Sequence, residues 1–233
     1  PPIPAAVKTT TGETLYTREQ YDMGRQVWQR VGGHQMGSIW GHGSYVAPDW
    51  SADWLHREAT ALLELWAQRD TGKAYADLDA VQQAGLQAQL QQTMRKNTYD
   101  PATGVITVDE DRAQAIRQVN DHYMRLFGPD VELNTLRAQY AIQQNPIPDV
   151  EQRQAMMAFF FWTSWSASTN RPDNTITYTS NWPSEPLVGN VPTTSTYLWT
   201  FISIFGLLAG VGALAWYYVA THGQEPAPQV PDR

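Results

Sequence analysis

From Leu187 to Gln224 the chain carries no Asp, Glu, Lys or Arg. Within that window "YLWTFISIFGLLAGVGALAWYYVA", residues 197–220, is an almost unbroken apolar run. As a helix it would extend about 36 Å, enough to cross a hydrocarbon layer of roughly 30 Å with some tilt. Tyr197 and Trp199 stand at one end, and Trp216, Tyr217 and Tyr218 at the other, where interfacial aromatics anchor a span. The run therefore reads as one membrane helix over residues 195–221, and its place late in the chain sets it apart from a signal peptide. Gly206, Gly210 and Gly212 give it a small-residue face that suits close approach by a neighbouring helix.

Composition narrows what precedes the span. Hydrophobic residues make up 42% of the 233-residue chain, so a packed core is expected. A net charge of −7, three lysines and the lack of any basic run argue against a nucleic-acid partner. The sequence has no cysteine, which excludes disulfides, thiolate metal sites, iron–sulfur clusters and covalent haem attachment through a C-x-x-C-H motif.

The chain reads as mainly α-helical with a small β excursion. Residues 1–16 read as an extended, proline-bearing lead-in. Thr17 and Gln20 form a capping box for a helix that places Tyr21, Val27, Trp28 and Val31 on one face and stops at Gly32 and Gly33. A glycine-rich loop runs to Pro48. Asp49 or Ser51 then caps a helix with an apolar stripe of Leu55, Ala59, Leu62, Leu63 and Trp66, closed by Gly72. A glutamine-rich helix near 77–96 is expected to turn Leu78, Val81 and Leu90 inward. Residues 97–109 suggest a short strand or hairpin, with turn chemistry at Asp100, Pro101 and Gly104. Helices are expected at about 110–127 and 134–144. Another starts near Asp149 and contains "MMAFFFWTSWSAS", whose apolar groups exceed a single stripe, so it is expected at the centre of the core or packed near the membrane. Residues 169–196 form a long proline-bearing loop, and "QEPAPQVPDR" reads as a linker stub, giving segments of 1–194, 195–221 and 222–233.

No catalytic constellation emerges from the residues. His34, His42, His56, His122 and His222 form no recognised metal-ligand spacing. His34 and His42 share the glycine-rich loop, where either could ligate a non-covalent haem together with a methionine, or simply hydrogen-bond the loop backbone. A Ser-His-Asp set, a phosphate loop and a spaced carboxylate pair are all missing.

"VGGHQMGSIWGHGSYVAPDWSADWLHREA" (31–59) and "TSNWPSEPLVGNVPT" (179–193) resemble the N-terminal aqueous region of quinol-dependent nitric oxide reductases, members of the haem-copper oxidase superfamily, and the likeness spans nearly the whole chain. It implies a cytochrome c-like domain that has lost its haem, placed on the periplasmic side of the bacterial inner membrane, with 222–233 cytoplasmic. In cytochrome-c-dependent relatives a haem attachment motif precedes a segment matched here by Gly41–Asp49. Counting back puts Gly33-His34-Gln35-Met36-Gly37 at the attachment site, with Gly33, Met36 and Gly37 replacing the two thiols and the proximal histidine. Trp28, Trp40 and Trp50 are then expected to fill the vacated volume. The resemblance also implies that Gly43 and Tyr45 could offer oxygens to a calcium ion bridging to haem propionates of a catalytic core.

For the complete enzyme the likeness implies reduction of two nitric oxide molecules to nitrous oxide and water with electrons from membrane quinol. Low-spin haem b, high-spin haem b3 and non-haem iron would lie in a multi-helix core, whose ligands this chain lacks. Alternative readings are a membrane-anchored periplasmic interaction module and a small electron carrier with non-covalent haem.

Overall fold

The computed structural model describes residues 1–41 and 46–222. Residues Pro1–Pro192 form one compact unit, and a second begins at Thr193.

Within the first unit a four-stranded sheet flanks a helical core. Strand β1 (Ala6–Thr9) pairs antiparallel with β2 (Thr14–Thr17) and parallel with β4 (Val105–Val108), which pairs antiparallel with β3 (Tyr99–Asp100). The order is β2-β1-β4-β3. Alternation sends Val7, Thr9, Ile106 and Val108 to the buried face, as a half-covered sheet requires. The sheet corrects the reading of residues 1–16 as a lead-in: they supply half its strands. Two four-residue strands are too short to reveal a partner some hundred residues away.

Helix α1 (Arg18–Arg30) begins with the expected capping box, in which Thr17 accepts from the Gln20 amide and Gln20 reaches back to the Thr17 amide. Tyr21, Val27 and Trp28 are buried, whereas Val31 lies past the helix as its C-cap. Helix α2 (Trp50–Thr71) is capped by Asp49, which accepts from the Ala52 amide at 2.9 Å, and ends at left-handed Gly72. Its predicted stripe is buried throughout. Helix α3 (Ala80–Arg95) turns Leu90 and Met94 inward, but Val81 is 82% exposed. Val81 lies in the first turn, where Asp79 binds its backbone amide and the helix has not yet reached the core. Helix α4 (Glu110–Leu126) follows, and α5 (Asn134–Gln139) is shorter than the expected 134–144. It ends where Ala141 takes a positive φ, a conformation no helix continues through.

Helix α6 (Val150–Ser168) is the axle of the unit. Fifteen of its nineteen residues are buried, so it has no solvent face to pattern and shows no single stripe. It packs on α1, α2 and α4. Gly24 of α1 permits a close approach to α6, since a Cβ there would lie 2.0 Å from the Ala155 carbonyl oxygen.

The long segment after α6 is docked. Asn190 is buried and donates from Nδ2 to the carbonyls of Ala167 at 2.7 Å and Pro183 at 3.2 Å. Arg95 at the end of α3 donates to the carbonyls of Gly189 and Thr175 and to the side-chain oxygens of Asn190 and Asn181.

In the second unit, α7 (Thr194–His222) is a single apolar helix able to cross a membrane, and none of its side chains is buried. A helix apolar all round is suited to lipid or to neighbouring helices.

Candidate functional site, an aromatic-filled cradle

The glycine-rich stretch after α1 folds tightly onto the core. Gly32 at φ 126° and Gly33 at φ 50° reverse the chain into a single 3₁₀ turn (Gly33–Met36), and Gly37 leaves it at φ 136°. Asp49 ties the loop to its base: Oδ2 accepts from Ser38 Oγ at 2.7 Å and from the Gly41 amide at 2.6 Å. The Trp50 amide donates to the Ser38 carbonyl at 2.9 Å, and the Trp40 amide to Ser51 Oγ at 3.0 Å. One carboxylate thus caps α2 and fastens the loop.

Aromatic rings fill the space below. Trp50 is fully buried, lies parallel to Phe160 at 5.8 Å, and meets Phe127, Tyr123 and Tyr140 edge-on at 5.3, 6.0 and 6.0 Å. Trp28 packs on Phe159 at 5.6 Å. Half-buried Trp40 packs on Trp162 at 5.3 Å and donates its indole N–H to the Thr163 carbonyl at 2.8 Å. The stacked and edge-to-face contacts around Trp50 are favourable arrangements for aromatic pairs, and those of Trp28 and Trp40 are tilted. Tyr123 continues the cluster, stacked on Trp54 at 5.3 Å.

A haem does not fit here. A planar macrocycle needs roughly 3.5–4 Å of clearance on each face, about 7 Å in all. The loop instead rests directly on the core: the Trp50 indole N–H donates to the Met36 carbonyl at 3.1 Å, and a Cβ on Gly37 would fall 2.1 Å from that same nitrogen. The chain has no cysteine, and no group of three or more His, Asp or Glu converges as a metal-ligand set among the described residues.

The histidines are scattered. His34 is exposed and packs edge-on against Trp28 at 5.0 Å. His56 Nδ1 lies 2.8 Å from Glu185 Oε2, which links α2 to the docked segment. His122 is pushed down to about 4 by burial and by nearby Arg57, so it is neutral at pH 7. His42, Gly43 and Tyr45 lie outside the described residues.

Sequence reasoning named Trp28, Trp40 and Trp50 but missed Tyr123, Phe127, Tyr140 and Phe160, which complete the cluster. The apolar density of "MMAFFFW" was the available signal for Phe160. Sequence reasoning also missed the buried ion pair beneath Trp54, in which Arg112 Nε donates to Glu58 Oε1 at 2.7 Å and Trp54 Nε1 donates to Glu58 Oε2 at 3.0 Å.

The class these features define is a mainly helical domain with a small four-stranded sheet, closed over its own aromatic side chains, in a chain that goes on to one apolar helix. Residues 4–184 match the NorB cytochrome c-like domain family of nitric oxide reductases, and the chain belongs to that family. No curated protein matches the chain.

Proposed function

We propose that the chain is the N-terminal, non-catalytic portion of a quinol-dependent nitric oxide reductase, capping the periplasmic face of the catalytic core. Membership of the NorB cytochrome c-like domain family supports a place in a nitric oxide reductase, and the filled cradle supports the non-catalytic role. A domain whose attachment loop lies on Trp50 has no seat for an electron-carrying haem, which leaves a covering and anchoring role. The segment 1–194 then lies in the periplasm, 195–221 crosses the inner membrane, and 222–233 continues on the cytoplasmic side. The haems b and b3, the non-haem iron and the quinol belong to the core, with which this portion associates. The calcium bridge at Gly43 and Tyr45 is part of the same proposal.

Two measurements test it. The purified chain, supplied with a quinol and nitric oxide, is expected to consume none. A tag on the domain is expected to recover a haem-bearing membrane core from solubilised native membranes. Turnover by the chain alone, or recovery without any haem-bearing partner, would overturn the assignment. Calcium content is read on the intact reductase, where Tyr45→Phe is expected to lower it.

A further inference from the structure

Four aromatic rings form a continuous path from the rim of the helical core to its centre. Tyr140 is half-buried, whereas Trp50, Tyr123 and Trp54 are fully buried. Ring centroids are 6.0 Å apart from Tyr140 to Trp50, 6.0 Å from Trp50 to Tyr123, and 5.3 Å from Tyr123 to Trp54, the last pair within 7° of parallel. The inner rings end on buried or half-buried carboxylates. Tyr123 donates its O–H to Asp53 Oδ2 at 2.5 Å, and Asp53 is held in turn by Arg57 Nε at 2.8 Å. Trp54 donates to Glu58, whose other oxygen is taken by Arg112.

Tyr123 differs from its fellow tyrosines in this acceptor. The hydroxyl of Tyr16 donates to the Asn120 amide oxygen and that of Tyr75 to the Gln83 carbonyl. Among the described residues Tyr123 is the one tyrosine bonded through its hydroxyl to a carboxylate. The difference is chemical. A phenol loses an electron readily only if its proton can leave at the same time, and a charge-assisted bond to a carboxylate supplies the destination.

We propose that this stack conducts one-electron oxidising equivalents inward and that Tyr123 is where they come to rest. The oxidant is a one-electron radical oxidant of the nitrogen dioxide type, met at the Tyr140 rim. Tyr123 gives up one electron, which passes through Trp50 and Tyr140 to the oxidant and reduces it to its anion. The Tyr123 O–H bond breaks, its proton moves to Asp53 Oδ2, and a neutral phenoxyl radical remains. Phenol, carboxylate and radical oxidant thus become phenoxyl radical, carboxylic acid and reduced anion, with charge and atoms conserved. Arg57 Nε donates to that same Asp53 Oδ2 at 2.8 Å and keeps it against the phenol, and it stays bonded to the oxygen once the proton has arrived. The relay stands on ring geometry and is independent of the reductase assignment.

The test is flash oxidation of the full chain in detergent, with photogenerated ruthenium(III) tris-bipyridine as oxidant and electron paramagnetic resonance as readout. A long-lived tyrosyl signal is expected in the unaltered chain. Tyr123→Phe should abolish it, and Tyr178→Phe, whose hydroxyl meets the Asn97 amide instead, should leave it intact. Asp53→Asn should shorten the radical lifetime by at least about tenfold, the worth of a charge-assisted hydrogen bond. Fluorotyrosine placed at position 123 should change the hyperfine pattern, a readout that needs no loss of the phenol should Tyr123→Phe fail to fold. A full signal in folded Tyr123→Phe, an unchanged pattern with fluorotyrosine, or an unchanged lifetime in Asp53→Asn would overturn the proposal.

Discussion

Gly24 lies where α1 crosses α6 with no room for a methyl group, because the Ala155 carbonyl oxygen and carbon occupy that space. Both contacts are backbone atoms, so relief requires the helices to separate. Gly24→Ala is therefore expected to destabilise the domain by about 1–3 kcal/mol, read from denaturant midpoints at unchanged slope. Glu58 and Arg112 make a second sensitive point. Both are buried, and removing one partner strands the other charge. Glu58→Leu alone should cost about 3–5 kcal/mol, whereas Glu58→Leu combined with Arg112→Met should recover most of that loss. His122 sets a pH dependence. Its folded pKa of about 4 lies below the ordinary 6.5, so between those values the unfolded chain binds the extra proton. Stability is complete above pH 6.5 and falls as pH drops toward 4. Melting temperature should decline across that window, and His122→Gln should flatten the decline. None of these points was legible in the sequence, because each depends on a partner brought close only by the fold.

At the scale of elements the outcome is mixed for an identifiable reason. Helices α1 and α2 were legible to within a few residues, since their caps at Thr17 and Asp49 and their apolar stripes are local signals. The parallel pairing of β1 with β4 was not legible, being four residues long and non-local. Helix α6 was expected either at the centre of the core or packed near the membrane, and its packing on α1, α2 and α4 shows the first. The segment after it owes its shape to Arg95, whose guanidinium binds oxygens of Thr175, Asn181, Gly189 and Asn190 without a carboxylate partner among the described residues. Arg95→Ala is expected to open residues 170–191 to limited proteolysis while the helical core keeps its circular dichroism and most of its stability. Cleavage appearing instead within α2 or α6 would show that Arg95 supports the whole domain.

At the scale of the whole molecule, close packing of aromatic rings organises the first unit. Trp28, Trp50, Tyr123, Phe127, Phe160 and Trp162 converge between α1, α2, α4 and α6 beneath the glycine-rich loop, whereas Tyr197, Trp199, Trp216, Tyr217 and Tyr218 belong to the apolar helix. An empty volume of that size would be severely destabilising, and close-packed rings remove the need for a cofactor. The loop was legible in the sequence from its glycines and from the cap at Asp49, and the reading of Gly33, Met36 and Gly37 as replaced haem-attachment positions remains part of the proposal. The identity of most of its filling became clear only from the packing around Trp50. The most direct test is the haem content of the purified full chain, produced in cells with ample haem and measured as pyridine haemochrome against protein concentration. The account expects no bound haem and no Soret band. A stoichiometric haem, displacing the Trp50 cluster, would contradict it.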